Sequence, residues 1–261
     1  MKIHPTAIID PKAELHETVE VGPYSIIEGD VQIGEGSWIE SCVRIYSGTR
    51  MGKFNKVHHT AVIGGLPQDI SFKPETKTYT QIGDYNTFRE GFTLHRATKE
   101  GKATIIGNKN YFMGQAHIAH DCVFGDENII VLNGQVAGHC HIGNHVFISG
   151  LVGLHQFCSV GDYAMLAACS KIPRDVPPYV TIDGNPATVI GLNSVGLKRG
   201  GFSVETRNKI KHAYKVIYHS KMNTTQALEA LKAENDPSPE VQYIIRFIET
   251  CERGITDHRE V

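Results

Sequence analysis

Two imidazoles and a carboxylate fall within five residues at His117-Ile118-Ala119-His120-Asp121, with Cys122 directly after. Histidine is the side chain best suited to exchanging protons near neutral pH, and the chain has 14 of them. His120 beside Asp121 has the makings of a general base. The imidazole takes a proton from an alcohol or amine attacking a carbonyl, and the carboxylate steadies the imidazolium and fixes its tautomer. A backbone N–H freed by a glycine would receive the developing oxyanion. Ala137-Gly138-His139 offers such a glycine eighteen residues after His120.

That spacing gains meaning from the elements around it. Ile3, Ile9, Leu15, Val21, Ile27, Ile33, Ile39, Ile45, Met51, Val57 and Ile63 recur at an unbroken interval of six. The beat resumes at Ile82, Phe88 and Leu94, skips at Glu100, and runs from Ile106 through Ile118 and Ile148 to Ile172. A helix needs recurrence near 3.6 and a hairpin sheet does not hold a six-residue beat for so long. Short strands turning every six residues, with Gly at corners, make an all-β solenoid, three strands closing a coil of about eighteen residues. Residues eighteen apart then stack: Asp121 under His139, His120 under Gly138, and His155-Gln156 one coil further. Cys122, Cys140 and Cys158 form an inward column of core packing. His58, His59, His141 and His145 read as solvated corner residues.

Two interruptions, Pro67–Thr80 and Ala97–Ala103, are expected as loops thrown out of the prism. After Ile172 the beat stops, and Pro173, Pro177, Pro178 and Pro186 predict an extended connector over 173–202. Helices are expected from Ser203 to Ser220, over Gln226–Ala233 with a Thr224 or Thr225 cap, and from Pro239 to about Glu252. The division is therefore a solenoid over residues 1–190 and a connector with helical domain over 191–261. Within 198–221, seven cations face the single acid Glu205, although the chain as a whole has net charge −2. This local basic patch suits a diphosphate, a pantetheine phosphate or an acidic carrier protein. Neither nucleic acid nor a transmembrane segment is indicated, and six cysteines without a CxxC pair suit free thiols in a cytoplasmic protein.

The combination resembles a known family. The hexapeptide array, His117-Ile-Ala-His120-Asp121-Cys122, Ala137-Gly-His139, Leu154-His155-Gln156-Phe157-Cys158, Asp175-Val-Pro-Pro-Tyr179, Gly184-Asn185-Pro186-Ala187 and Gly196-Leu-Lys-Arg199 occur together in order. They are similar to the UDP-N-acetylglucosamine acyltransferases, the first acyltransferases of lipid A biosynthesis. The resemblance implies a homotrimer of left-handed parallel β-helices with sites in clefts between subunits. It also implies transfer of an (R)-3-hydroxyacyl group from the phosphopantetheine of acyl carrier protein to the glucosamine 3-position of UDP-N-acetylglucosamine, without a cofactor or metal.

Carried over by residue, the resemblance makes His120 the base, Asp121 its partner and Gly138 the oxyanion donor. His117, His139, His155 and Gln156 become pocket residues, and Gln68, Asp69, Asn193 and Arg199 substrate contacts. Gly200 and Ser71 depart from a common Arg and Lys. Ala168 and Lys171 lie along the acyl slot, and their bulk predicts a chain of about twelve carbons. A 3-amino sugar, giving an amide, is the alternative acceptor. The alternatives in function are another hexapeptide-repeat N-acyltransferase, a zinc-dependent carbonic anhydrase-like β-helix with ligands on separate coils, and a purely structural solenoid.

Overall fold

The structure, a computed structural model, describes residues 2–259. From Lys2 to Ile172 the chain runs as two- to four-residue strands joined by tight corners. Every third strand pairs in parallel, so the described residues form three long faces. On one of them His117–Ile118 pairs with Gln135–Val136, then Gly153–Leu154, then Lys171–Ile172, always eighteen residues apart. Strand side chains alternate sides; the hexad residue points inward and its predecessor outward. Thus Ile118, Val136, Leu154 and Ile172 are buried, while His117 and Lys171 belong to the outer surface.

The corners hold their shape through non-glycine residues with positive φ, among them Asp121 (59°), His139 (61°) and Phe157 (66°) stacked at one edge. At another edge Asn55, Asn86, Asn110 and Asn128 form a buried amide ladder, each side chain accepting from the next coil's backbone N–H at 2.8–2.9 Å. Each bond contributes about 0.5–1.5 kcal/mol net, and leaving a buried amide unpaired would cost more. Ladder spacing widens from 18 to 31 residues across the first interruption and to 24 across the second. Both insertions therefore leave the prism without disturbing its stacking. Cys122, Cys140 and Cys158 are fully buried free thiols, as the column reading expects. Burial pushes Cys158 up to about 12.

The connector differs from expectation. Val180–Gly184 extends one face in parallel beside Met165–Leu166 and then turns through Asn185-Pro186 into antiparallel Ala187–Leu192. The prolines that argue against strand pairing fall at the turn or before the hairpin, so the β-branched stretches between them were free to pair. This hairpin bridges the solenoid and the helical part. A short helix α1 (Ser194–Arg199), also unanticipated, follows with Asn193 as its cap.

Next come α2 (Val204–His219), α3 (Thr224–Glu234) and α4 (Pro239–Glu249). Helix α2 buries Ile210, Ala213, Tyr214 and Ile217, an i, i+3, i+4, i+7 stripe. The cap of α3 is Asn223 rather than either threonine, because Asn223 and Gln226 close a reciprocal capping box. Tyr243 of α4 fastens the helices to the solenoid, donating to Asp162 Oδ1 at 3.0 Å and accepting from the Asp162 N–H at 3.2 Å.

Candidate active site

His120 and Asp121 occupy the corner after strand His117–Ile118, where the left-handed backbone of Asp121 turns its carboxylate back toward its neighbour. His120 Nδ1 lies 2.9 Å from Asp121 Oδ2. An ionised carboxylate only accepts, so Nδ1 carries the proton and Nε2 is left with its lone pair. Asp121 is anchored from the second interruption: Thr98 donates to it through Oγ1 at 2.7 Å and through its backbone N–H at 3.2 Å. Burial opposes the charge on Asp121, but the bonds from His120 and Thr98 outweigh it and hold its pKa below the usual value. The Asp121 N–H itself donates to Thr104 Oγ1 at 2.8 Å.

One coil above, His139 places Nε2 3.7 Å from Asp121 Oδ2 and sets its ring edge-on to His120. Phe157, from the next coil, stacks on His139 with centroids 4.7 Å apart and planes 10° from parallel. Burial lowers the His139 pKa despite Asp121 nearby. Gly138 passes so close to His120 that a Cβ built on it would stand 2.6 Å from Cε1 and 2.9 Å from Nε2. Its N–H has no acceptor among the described residues. Only glycine lets bare backbone meet the basic edge of this imidazole.

His117 faces outward on the strand below, with Nδ1 2.7 Å from Thr93 Oγ1. Burial, and then His120, lower its pKa. His155 and Gln156 stand exposed on the coil above His139, as the stacking predicts. Asp69 comes from the first interruption. Bonds from Ser71, side chain and then backbone, lower its pKa, with His120 and His139 adding to the effect across space. Gln68 is exposed beside it.

Asn193 and Arg199 are not brought to this corner. Asn193 donates to Tyr163 O at 2.8 Å and accepts from the Gly196 N–H at 3.0 Å, on the edge that joins Ser159–Val160 to Met165–Leu166. Arg199 is exposed in the last turn of α1. Ala168, also exposed, sits at the third edge, and Lys171 lies on the outer face above His117, with Gly153 between them leaving open space.

Several participants escaped sequence reasoning. Thr98 lies in a loop, Phe157 reads as a hexad neighbour, and buried His95 meets His117 edge-on at 4.8 Å. The break in the beat at 97–103 was the one signal pointing to Thr98. Among the described residues, His120, Asp121 and His139 form the one cluster whose ligand atoms, all within 4.8 Å, would suit a shared metal ion. Asp121 Oδ2 already takes bonds from Thr98 and His120, which fits a proton-transfer dyad better than a metal ligand.

Fold and site together define a hexapeptide-repeat β-helix protein equipped to move a proton beside a backbone N–H. A family model described as UDP N-acetylglucosamine O-acyltransferase, domain 2, matches residues 175–256. An acyl-(acyl-carrier-protein)–UDP-N-acetylglucosamine O-acyltransferase from Janthinobacterium sp. is 45% identical over 97% of this chain and 98% of its own length. Its counterpart from Anaeromyxobacter sp. is 45% identical over 98% and 100%. The crystal structure of the UDP-N-acetylglucosamine O-acyltransferase of Moraxella catarrhalis superposes with a TM-score of 0.94 at 42% identity, covering 98% of this chain and 100% of that one. The chain belongs to the UDP-N-acetylglucosamine O-acyltransferase family, and its fold is the left-handed parallel β-helix with a C-terminal helical part.

Proposed function

We propose that the protein transfers an (R)-3-hydroxyacyl group from acyl carrier protein to the glucosamine 3-position of UDP-N-acetylglucosamine, or of its 3-amino analogue, in lipid A biosynthesis. The observation that carries this reading is the 2.9 Å contact of His120 Nδ1 with Asp121, which leaves Nε2, beside Gly138, without a hydrogen-bond partner among the described residues. His120 Nε2 takes the proton of the attacking hydroxyl or amine as the new bond forms at the thioester carbon. Asp121 holds the imidazolium, and the Gly138 N–H donates to the carbonyl oxygen as it becomes an oxyanion. Collapse breaks the carbon–sulfur bond, and His120 returns its proton to the departing pantetheine thiolate. The chain's own residues suffice for these steps, so we assign no cofactor.

His117, His139, His155, Gln156, Gln68 and Asp69 surround the acceptor in this reading, and Ala168 with Lys171 bounds the acyl chain. Asn193 and Arg199 occupy a different edge of the prism from His120. A nucleotide contact from them at the same site therefore comes from a second copy, which supports a homotrimer with sites between subunits. No helix among the described residues is long and apolar enough to cross a membrane; the acyl carrier and nucleotide substrates favour a cytoplasmic location.

The test is an acyl-transfer assay of His120→Ala, with circular dichroism and sizing as controls. The expected result is loss of more than about a thousandfold in kcat with oligomer and fold intact; unchanged activity would overturn the mechanism. Metal analysis of the purified active protein decides against the zinc reading if stoichiometric metal is absent.

A further inference from the structure

A second recess lies away from the His120 corner and shares no residue with it. It is a cleft of about 460 Å³ between the Val180–Leu192 hairpin and α2. Val180, Val189 and Leu192 form one wall, and the parallel rings of Tyr214 and Tyr218 form the other. Both phenol groups are already committed, Tyr214 to Pro178 O at 2.6 Å and Tyr218 to Thr256 O at 2.9 Å. What the tyrosines offer the cleft is therefore ring carbon. Gly191 keeps the space open, since a Cβ there would meet nothing within 4 Å.

The lining carries Lys211, Lys215, His219 and His258 and no carboxylate. Lys209, on the same helix, is paired with Glu205 and Asp236. By contrast, Lys211 and Lys215 have no ion-pair partner among the described residues. An apolar slot edged by unpaired cations is complementary to one kind of guest: an apolar body with a single anionic head. Burying the body supplies about 25 cal/mol per Å², and the lysines select the head.

We propose that this cleft is a binding site for a small amphiphilic anion, an aliphatic carboxylate or phosphate ester. It is separate from the His120 corner of the same chain.

The test is calorimetric titration of the intact protein with decanoate and with decyl phosphate, below their micelle concentrations. Decanol and decyltrimethylammonium serve as uncharged and cationic controls. One saturable site per chain is expected for the anions, weakened about tenfold or more by Lys211→Gln/Lys215→Gln. Loss of the same net charge elsewhere, in Lys12→Gln/Lys56→Gln, should leave the affinity within about twofold. The tighter of the two anions identifies the head group. The proposal is overturned if the wild type shows no saturable binding. It is equally overturned if the double variant binds undiminished, which would put the anion in another groove, or if the control pair loses as much, which would reduce the effect to net charge.

Discussion

Gly138 Cα and the imidazole of His120 are in contact across one coil step, with no room for a methyl group between them. Gly138 thus has a steric duty besides its N–H. Gly138→Ala should push the ring off its Asp121 bond and lower kcat on the order of a hundredfold, as small misplacements of catalytic groups do. The substrate KM should change much less. Steady-state kinetics on a variant with unaltered circular dichroism checks this, and wild-type kcat would refute the packing argument.

Thr98 is a positioning residue acting through Asp121. Thr98→Val keeps the backbone donor but removes the 2.7 Å hydroxyl bond, a charge-assisted interaction of about 1.5–3 kcal/mol. Asp121 is held below its usual pKa by His120 and Thr98 against the opposing pull of burial. Losing the Thr98 hydroxyl should raise that pKa and carry the lower, carboxylate break of the acid limb of the kcat/KM profile, where its slope steepens, to higher pH. Thr98→Ser should restore the wild-type profile. A uniform fall in rate with an unmoved limb would mean that Thr98 serves only the fold.

His95 predicts a stability effect. Burial, then the nearby charges of His117 and His120, push its pKa from 6.5 to about 4, and its Nδ1 has no hydrogen-bond partner. The folded state therefore favours the neutral ring. Between pH 6.5 and 4 the unfolded chain binds the extra proton, so stability is fully present above that window and falls as pH drops through it. The maximum contribution is about 3 kcal/mol at 1.36 kcal/mol per unit. Urea unfolding at pH 7 and pH 5 should show a smaller difference in His95→Asn than in the wild type. An identical difference would assign the acid sensitivity to other groups, His117 among them.

Lys171 stands on the same outer face as His117, two coils above Gln135 and just past the open space at Gly153. If it closes the acyl slot, Lys171→Ala, alone or with Ala168→Gly, should move the preferred donor to chains longer than about twelve carbons, each methylene being worth roughly 1 kcal/mol. Competition among hydroxyacyl carriers of graded length reads this directly. An unshifted optimum would place the end of the slot elsewhere.

The solenoid was legible because its constraint is local and repeated: one inward residue every sixth position and, from Tyr24 on, a left-handed corner after nearly every strand. The pairing of His120 with Gly138 followed from the same arithmetic, since an eighteen-residue coil leaves no freedom in what stacks on what. Thr98 was not legible, because it reaches Asp121 across 23 residues through a loop that has no period. The Val180–Leu192 hairpin was hidden for a different reason: its prolines lie at the turn or before the strands, not inside them. Asn193, expected as a substrate contact, proves to have both ends of its amide engaged, the oxygen capping α1 and the nitrogen donating to Tyr163 O. A substrate contact there uses the second N–H of the amide or the remaining acceptor capacity of its carbonyl oxygen, or displaces one of those bonds.

The eighteen-residue register also constrains how such a chain can change in length during evolution. Adding one hexad below the Ala97–Ala103 loop would preserve every strand type and inward residue, yet rotate all later residues by one face of the prism. His120 and Gly138 would stay together, but Asp69 and the Thr98 anchor would be left facing different sides. A whole coil could be gained or lost far more cheaply, and an ejected loop like those at 67–80 and 97–103 absorbs any number of residues. Divergence in this architecture should therefore accumulate as whole coils and as loops, with single hexads rare between the residues of one site.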